Sequence, residues 1–221
     1  LKNSSVVIFG LGGVGSYVAE SLVRSGIYNF ILVDHDKISE SNINRQICAN
    51  IHTIGELKTH AMKNRMLKIN PDAKILLINQ FVNQENISEI INQDKKISYI
   101  VDAIDNISAK IQIIISAQKL NIPIISSMGT GNKINPLLLT IDDIYKTKYC
   151  PLAKIMRHEL KKYGVKKLRV CYSPEQPKKI INHDLNNNSR KKIIASVSFV
   201  TATAGLIIAS EVVRNILNLN T

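Results

Sequence analysis

Four glycines in the run Gly10-Leu11-Gly12-Gly13-Val14-Gly15-Ser16 constrain this chain more than any other feature. Before them stands Val6-Val7-Ile8-Phe9, an apolar run of strand length. After them, Val14, Val18 and Leu22 recur at helical spacing up to Ser25, with Gly26 as a stop signal. Gly10, Gly12 and Gly15 satisfy G-x-G-x-x-G. A strand that turns into a helix through such glycines can offer backbone N–H groups and the helix dipole to a phosphate. Asp34 closes the next apolar run, Phe30 to Val33, where a carboxylate meets ribose hydroxyls. Gly10, Gly12, Gly13, Gly15 and Asp34 are therefore candidate nucleotide-binding residues. On their own they do not choose between NAD and another nucleotide.

Strands and helices then alternate through the first 126 residues. Glu56 to Ile69 reads as a helix closed by Asn70-Pro71, Lys74 to Ile78 as a strand, Tyr99 to Val101 as a strand, Ser108 to Leu120 as a helix and Pro123 to Ile125 as a strand. This alternation predicts an α/β fold, a doubly wound, mostly parallel Rossmann-like sheet with helices on both faces. Beyond Ser126 the pattern becomes a C-terminal extension of mixed strands and helices. Leu137 to Ile141 reads as a strand, Cys150-Pro151 opens a helix running to about Tyr163, and Leu168 to Tyr172 is another strand. In that helix Leu152, Ile155, Met156 and Leu160 are expected inside and Lys154, Arg157, Lys161 and Lys162 outside. The polar stretch from Ser173 to Lys192 reads as a mobile loop, and Ile193 to Ser210 as a strand leading into a buried core helix rather than a membrane span. One domain is expected, with 1–132 as a nucleotide-binding half and 133–221 as a basic half.

The charge follows that division. Of a formal net charge of +12, the stretch from Lys133 to Lys192 carries ten, from 15 Lys and Arg against 5 Asp and Glu. A near-neutral first half and a basic second half suggest nucleotide machinery joined to a surface that meets a polyanion. The 45% hydrophobic content over 221 residues excludes disorder for most of the chain. Leu1 and Lys2 lead straight into the first strand with no secretory signal, and Cys48, Cys150 and Cys171 are too few and scattered for a disulfide framework, so a reducing, cytoplasmic setting is expected.

Further motifs select the nucleotide chemistry. Asp34-His35-Asp36 is followed by Ser41-Asn42-Ile43-Asn44-Arg45-Gln46, by Lys58, and by Asp102-Ala103-Ile104-Asp105-Asn106 at the end of the fourth strand. Hydride transfer needs no Arg and Lys pair aimed at phosphates and no carboxylate at a neighbouring strand end. Cleavage of ATP between its α and β phosphates needs cations for the phosphate charge and a carboxylate to hold Mg²⁺.

These motifs in this order resemble the E1-like (ThiF/MoeB) adenylating superfamily, whose members activate a carboxylate with ATP and Mg²⁺ on a homodimeric or pseudo-dimeric scaffold. The resemblance implies that Asp34, with Asp36, serves the ribose end of ATP. It implies that Asn44, Arg45 and Lys58 serve the phosphates, and that Asp105 holds Mg²⁺ or faces the reacting centre; Arg45, Lys58 and Asp105 are the catalytic candidates. Ser126-Ser127-Met128-Gly129-Thr130-Gly131-Asn132-Lys133-Ile134-Asn135-Pro136 and Cys150-Pro151-Leu152-Ala153-Lys154 look like the branch of tRNA threonylcarbamoyladenosine dehydratases. That branch cyclises the modified adenosine at position 37 of tRNA through an adenylated carboxylate. tRNA is then the expected polyanion, with Lys133, Lys154, Arg157 and Lys161 as its candidate contacts.

The resemblance also implies a homodimer and leaves room for a cysteine desulfurase or sulfur-acceptor partner. The alternative activity within the superfamily is activation of the C-terminus of a sulfur-carrier or ubiquitin-like protein. Sulfur-carrier activators usually carry two CxxC pairs for zinc, which this sequence lacks, and a thioester route needs a nucleophilic cysteine, for which Cys150 is the one candidate. The family's helix before the first strand, often the source of an Arg for the partner subunit, has no counterpart in residues 1–4.

Overall fold

The computed structural model describes residues 1–94, 96–178 and 194–219. Its strands are Ser5–Phe9 (β1), Asn29–Val33 (β2), Lys74–Ile78 (β3), Ile97–Asp102 (β4), Ile124–Ser127 (β5), Thr140–Asp143 (β6) and Arg169–Tyr172 (β7). They form one sheet in the order β3-β2-β1-β4-β5-β7-β6, parallel except for β6, which runs antiparallel to β7. The doubly wound, mostly parallel sheet expected from the alternation is therefore present.

Both faces of this sheet are covered, which is why Val6 to Phe9 of β1 and Tyr99 to Val101 of β4 are apolar on both faces. Val6 and Ile8 of β1 point into a core shared with the helices Gly15–Arg24 (α1), Lys58–Leu67 (α2) and Ser198–Ile216 (α6). Val7 and Phe9 point the other way, toward Ile87–Ile91 (α3) and Ile107–Lys119 (α4). On that second face the helix Pro151–Lys162 (α5) packs Ala153, Met156 and Leu160 against Ile111 and Ile114 of α4 and Val170 of β7. Each fully buried aliphatic or aromatic side chain of this kind contributes about 1.5–3 kcal/mol. α1 and α6 approach almost backbone to backbone: a Cβ on Gly205 would stand 2.7 Å from both Tyr17 Cβ and Val14 O.

Strand ends decide where a site can form. Phe9 is in register with Val33 on one side and Asp102 on the other, so β1, β2 and β4 finish level on one edge of the sheet. Chain order reverses between β1 and β4, and loops leaving the carboxyl ends of strands at such a switch point enclose a crevice.

The structure departs from the sequence expectations in four places, and one further expectation falls mostly outside the described residues. The strand expected over Leu137 to Ile141 begins at Thr140, because Asn135 accepts the Leu137 N–H and Pro136 starts a 3-10 turn over Pro136–Leu138, leaving Leu137 90% exposed. No strand precedes α6 at residues 194–197. The backbone of Ala195 is bonded by Asn132, through N–H and side chain, and the Ser196 carbonyl accepts from Asn44 Nδ2. In α5 the buried position falls to Ala153, while Ile155 is 44% exposed. The short helix α3 had no counterpart in the sequence reading. The expected mobile loop of 173–192 lies mostly outside the described residues.

α6 is long and apolar enough to cross a membrane by length and composition. Here it carries Val200, Ala204, Ile208, Ala209 and Val212 in the core.

Candidate functional site

The glycine loop fills the switch-point crevice from β1. Gly10 has φ of +86°, open only to glycine at low cost, and a Cβ there would also stand 2.8 Å from the Ala103 carbonyl of the loop after β4. Gly15 is needed for a different reason: its Cβ would fall 1.8 Å from Gly10 O. Gly13 lies against Thr201 of α6, and Gly12 has nothing nearer than Gln46 Nε2 at 4.0 Å. The loop is thus closed on three sides and open at Gly12, and first-turn N–H groups of a helix lack intrahelical partners. A cradle that one added Cβ would fill fits a phosphate group.

Asp34 fixes this loop to β2. Its Oδ2 accepts the Leu11 N–H at 2.7 Å and its Oδ1 accepts the Asp36 N–H at 2.9 Å. Asp36 is half-exposed and pairs with Lys58, Nζ to Oδ2 at 2.6 Å, while the Lys58 side chain itself is buried. Burial pushes the Asp36 carboxyl up, but the hydrogen bond and charge of Lys58 outweigh it and hold it below the usual carboxylate value. Lys58 is placed by backbone bonds: its N–H donates to Asp36 O, and Ile38 N–H to Glu56 O, so the start of α2 is tied to the end of β2.

Arg45 and Asn44 stand on the loop between β2 and α2. Arg45 Nη1 donates to Ser41 O at 2.8 Å and to Asn44 Oδ1 at 2.9 Å, and Asn44 Nδ2 donates to Ser196 O at 3.0 Å. The loop is held on α1 by the Ile47 N–H, which donates to Ser16 Oγ at 3.3 Å. One short stretch therefore touches both the glycine loop and the entry to α6. From β4, Ala103 N–H donates to Phe9 O at 2.8 Å, keeping the loop that carries Asp105 beside Gly10. Asp34, His35 and Asp36 offer ligand atoms within 4.8 Å of one another, yet Asp34 already accepts two N–H groups and Asp36 is paired. Asp105 is exposed and unpaired among the described residues, which suits it to a divalent cation.

The candidate tRNA residues are not all alike. Lys154 and Lys161 are exposed on α5; Arg157 is half-buried and donates to the Thr147 carbonyl at 3.1 Å and to the Thr147 hydroxyl. Lys133, expected at the surface with them, is only 2% exposed, and its Nζ donates to Ser173 O at 2.7 Å. Burial pushes its ammonium below the ordinary value, against the opposing influence of Cys150, Glu175 and Cys171. It braces the loop after β5 against the loop after β7, where Glu175 also accepts the N–H groups of Ile134 and Asn135. Cys48, Cys150 and Cys171 are all buried; burial raises the Cys48 thiol to about 11 and the Cys171 thiol to about 12. Cys150 caps α5 from inside the core, a poor position for a nucleophile.

Sequence reasoning missed one group. Asp102 at the end of β4 and Lys110 in α4 are both fully buried and paired, Nζ to Oδ2 at 2.8 Å, and Ser126 Oγ donates to the same oxygen at 2.5 Å. The available signal was a lysine as the one charged residue in the isoleucine-rich run Ile107 to Ala117.

A mostly parallel sheet with a glycine loop at its switch point and a strand-end carboxylate bonded to that loop defines a nucleotide-binding α/β protein. The chain belongs to the ThiF family, whose model matches residues 1–221. It is 38% identical over 226 aligned residues to the tRNA threonylcarbamoyladenosine dehydratase of Bacillus subtilis, covering 98% of this chain and 88% of that protein. The solved structure of the Escherichia coli dehydratase in complex with ATP superposes with a TM-score of 0.88 at 29% identity, over 99% of this chain and 87% of that one. The molybdopterin-synthase adenylyltransferase of Escherichia coli is 29% identical over 57% of this chain and 49% of its own length.

Proposed function

We propose that this protein is an ATP-dependent tRNA threonylcarbamoyladenosine dehydratase, in which the first half of the chain handles ATP and the basic second half receives tRNA. The observation that supports the reading best is the glycine loop at the sheet's switch point, bonded to Asp34 and packed against the loop that carries Asp105, in a chain whose similarity to such dehydratases extends nearly end to end.

ATP lies with its phosphates at Gly10 to Gly15 and its ribose toward Asp34 and Asp36. Arg45, Lys58 and Asn44 meet the phosphate oxygens, and Mg²⁺ held through Asp105 would offset the remaining phosphate charge. The carboxylate of the threonylcarbamoyl group attacks the α-phosphorus, the bond to the β-phosphate oxygen breaks, and pyrophosphate leaves. Cationic groups fixed before the reaction lower the barrier because they need not reorganise as charge shifts onto the leaving group. The tethered carbamoyl group then attacks the acyl-adenylate carbonyl and AMP leaves. The nucleoside has lost one water, whose oxygen remains on AMP. Because the second nucleophile belongs to the substrate, proximity replaces a protein thiol. The buried cysteines suit that route better than a thioester or a sulfur relay.

tRNA is met by α5 through Lys154 and Lys161, with Arg157 spending part of its hydrogen-bonding capacity on Thr147. Lys133 serves from inside, as a brace. Exposed Ile134, Leu137, Phe199 and Leu206 lie on neighbouring segments and supply an apolar surface for a second copy of the chain. The cytoplasm is the compartment in which ATP and tRNA meet such an enzyme. Incubating modified tRNA with the protein and ATP should convert the nucleoside to a product lighter by one water, detected by mass spectrometry. Unchanged nucleosides, with pyrophosphate exchange that depends instead on a Gly-Gly-tailed protein, would transfer the reading to carrier-protein activation.

A further inference from the structure

The buried group beneath the Asp105 loop has no part in the chemistry just described, and its geometry is unusually complete. Asp102 and Lys110 are each wholly enclosed, one at the last position of β4 and the other in the second turn of α4. The loop between them, residues 103–106, is fastened at four points. Ala103 N–H donates to Phe9 O, Ile104 N–H to Asp102 Oδ1 at 3.4 Å, Ala109 N–H to Asn106 Oδ1 at 3.0 Å, and Asp102 Oδ2 receives both Lys110 and Ser126. Gly10 packs on the same loop so closely that even a methyl group would strike the Ala103 carbonyl. Within it Asp105 alone presents an unpaired carboxylate among the described residues. Helix propensity and packing do not require a lysine at position 110, since its neighbours Ile111, Ile113 and Ile114 already supply the buried face of α4.

We propose that Lys110 is a positioning residue for Asp105: by holding Asp102 together with Ser126, it sets the loop that aims the Asp105 carboxylate at the cation accompanying the nucleotide phosphates. This rests on the reading of the glycine loop as an ATP site. Without its ammonium, the Asp102 carboxylate loses its counter-charge, turns from its present partners, and releases Ile104 N–H. Asp105 then loses its fixed direction although no atom of the phosphate cradle has changed. Groups behind a metal-binding carboxylate orient it in this way, and their loss weakens metal affinity more than it weakens the rest of the site.

The test is a thermodynamic cycle read by calorimetric ATP binding with and without Mg²⁺, on the wild type, Lys110→Met, Asp105→Asn and the double variant. Lys110→Met should reduce the Mg²⁺-dependent gain in ATP affinity by about tenfold and change the Mg²⁺-free affinity by no more than about twofold. In the Asp105→Asn background the same substitution should have no further effect. Equal weakening with and without Mg²⁺, a loss that adds in full to that of Asp105→Asn, or no loss would each overturn the proposal. A wild type that does not bind ATP at all would refute the nucleotide reading itself, and this inference with it. If Lys110→Met does not fold, Ser126→Ala, which leaves the ion pair in place, should show a smaller loss confined to the Mg²⁺-dependent gain, and an unchanged gain in that variant would overturn the proposal.

Discussion

Alanine at Gly12 and at Gly15 should act in opposite directions on stability, although both glycines belong to one motif. At Gly15 the new Cβ would stand 1.8 Å from Gly10 O and 2.9 Å from Gly10 C, both backbone atoms that cannot rotate away. Reaching ordinary contact at about 3.5 Å demands a shift of roughly 1.7 Å in the loop or in α1. That places the cost at or above the top of the overpacking range, about 3 kcal/mol. The reduced freedom of the unfolded chain returns only about 0.4–1 kcal/mol. For a chain of this size the net loss of about 2 kcal/mol or more lowers Tm by roughly 4–8 °C. At Gly12 the nearest atom is the flexible Gln46 Nε2 at 4.0 Å, and the backbone is not left-handed, so the unfolded-state term stands alone and Tm should hold or rise slightly. The methyl group would nevertheless occupy the open side of the cradle, and ATP affinity should fall by at least about tenfold, or 1.4 kcal/mol. Thermal unfolding and calorimetric titration with ATP measure the two quantities separately. Wild-type ATP affinity in Gly12→Ala would refute the placement of phosphate there, and an undiminished Tm in Gly15→Ala would refute the steric account of the loop.

Three further outcomes are expected. Lys58→Met should weaken ATP binding at least about tenfold and leave Asp36 without its counter-charge, so its carboxyl should titrate closer to or above the ordinary range; NMR of the carboxyl carbon checks this, and an unshifted signal would contradict the pairing. Replacing Lys154 and Lys161 with alanine should weaken tRNA binding and reduce its salt slope by about one for each lysine, with ATP affinity unchanged; filter binding across a salt series decides. Lys110→Met should become less stable as pH rises. Burial raises the Asp102 carboxyl above its ordinary 3.8 and Lys110 opposes that rise. A carboxyl with a raised folded value adds stability below 3.8 and loses it as pH climbs through the folded value. Removing Lys110 lifts that value further, so the stability deficit against wild type should widen as pH rises above 3.8, by up to about 1.4 kcal/mol per pH unit between the wild-type and variant folded values. A constant deficit would show that Asp102 is not the responsible group.

The parallel sheet and the glycine loop were legible because each is a local requirement with a local signature. Val6 to Phe9 must be apolar throughout to be covered on both faces, and Gly10 must be glycine to hold φ of +86°. The segment before α6 was not legible. Residues 194–197 alternate as a strand does, yet their backbone partners are the Asn132 backbone and side chain and the Asn44 side chain, far away in sequence. β6 was displaced for a related reason, since a single Asn135 side-chain bond to Leu137 N–H decides between a strand and a turn. The first choice depends on side chains that arrive from far away in the sequence, the second on a local side-chain bond that competes with strand pairing.

Charge was misread in a more instructive way, because counting Lys and Arg treats every cation as surface. Of the ten net charges assigned to residues 133–192, Lys133 is buried on the Ser173 carbonyl, and Arg169 is bound to Glu211 of α6, an acid outside the counted stretch, at 2.5 Å. Lys162 is paired with Glu159 at 2.8 Å, and Arg157 is bonded to Thr147. Within the described part of that stretch, the positive potential facing a polyanion therefore comes from a smaller set, with Lys154 and Lys161 on the outer side of α5 among its members. Lys110 makes the complementary point in the nominally neutral half, where a cation is fully enclosed and serves a carboxylate. If phosphate contacts are made by exposed lysines and the buried ones act as braces, Lys133→Met should lower Tm and leave the salt slope of tRNA binding unchanged. Lys154→Ala should do the reverse, and a change in salt slope for Lys133→Met would show that its ammonium leaves the interior to meet the RNA.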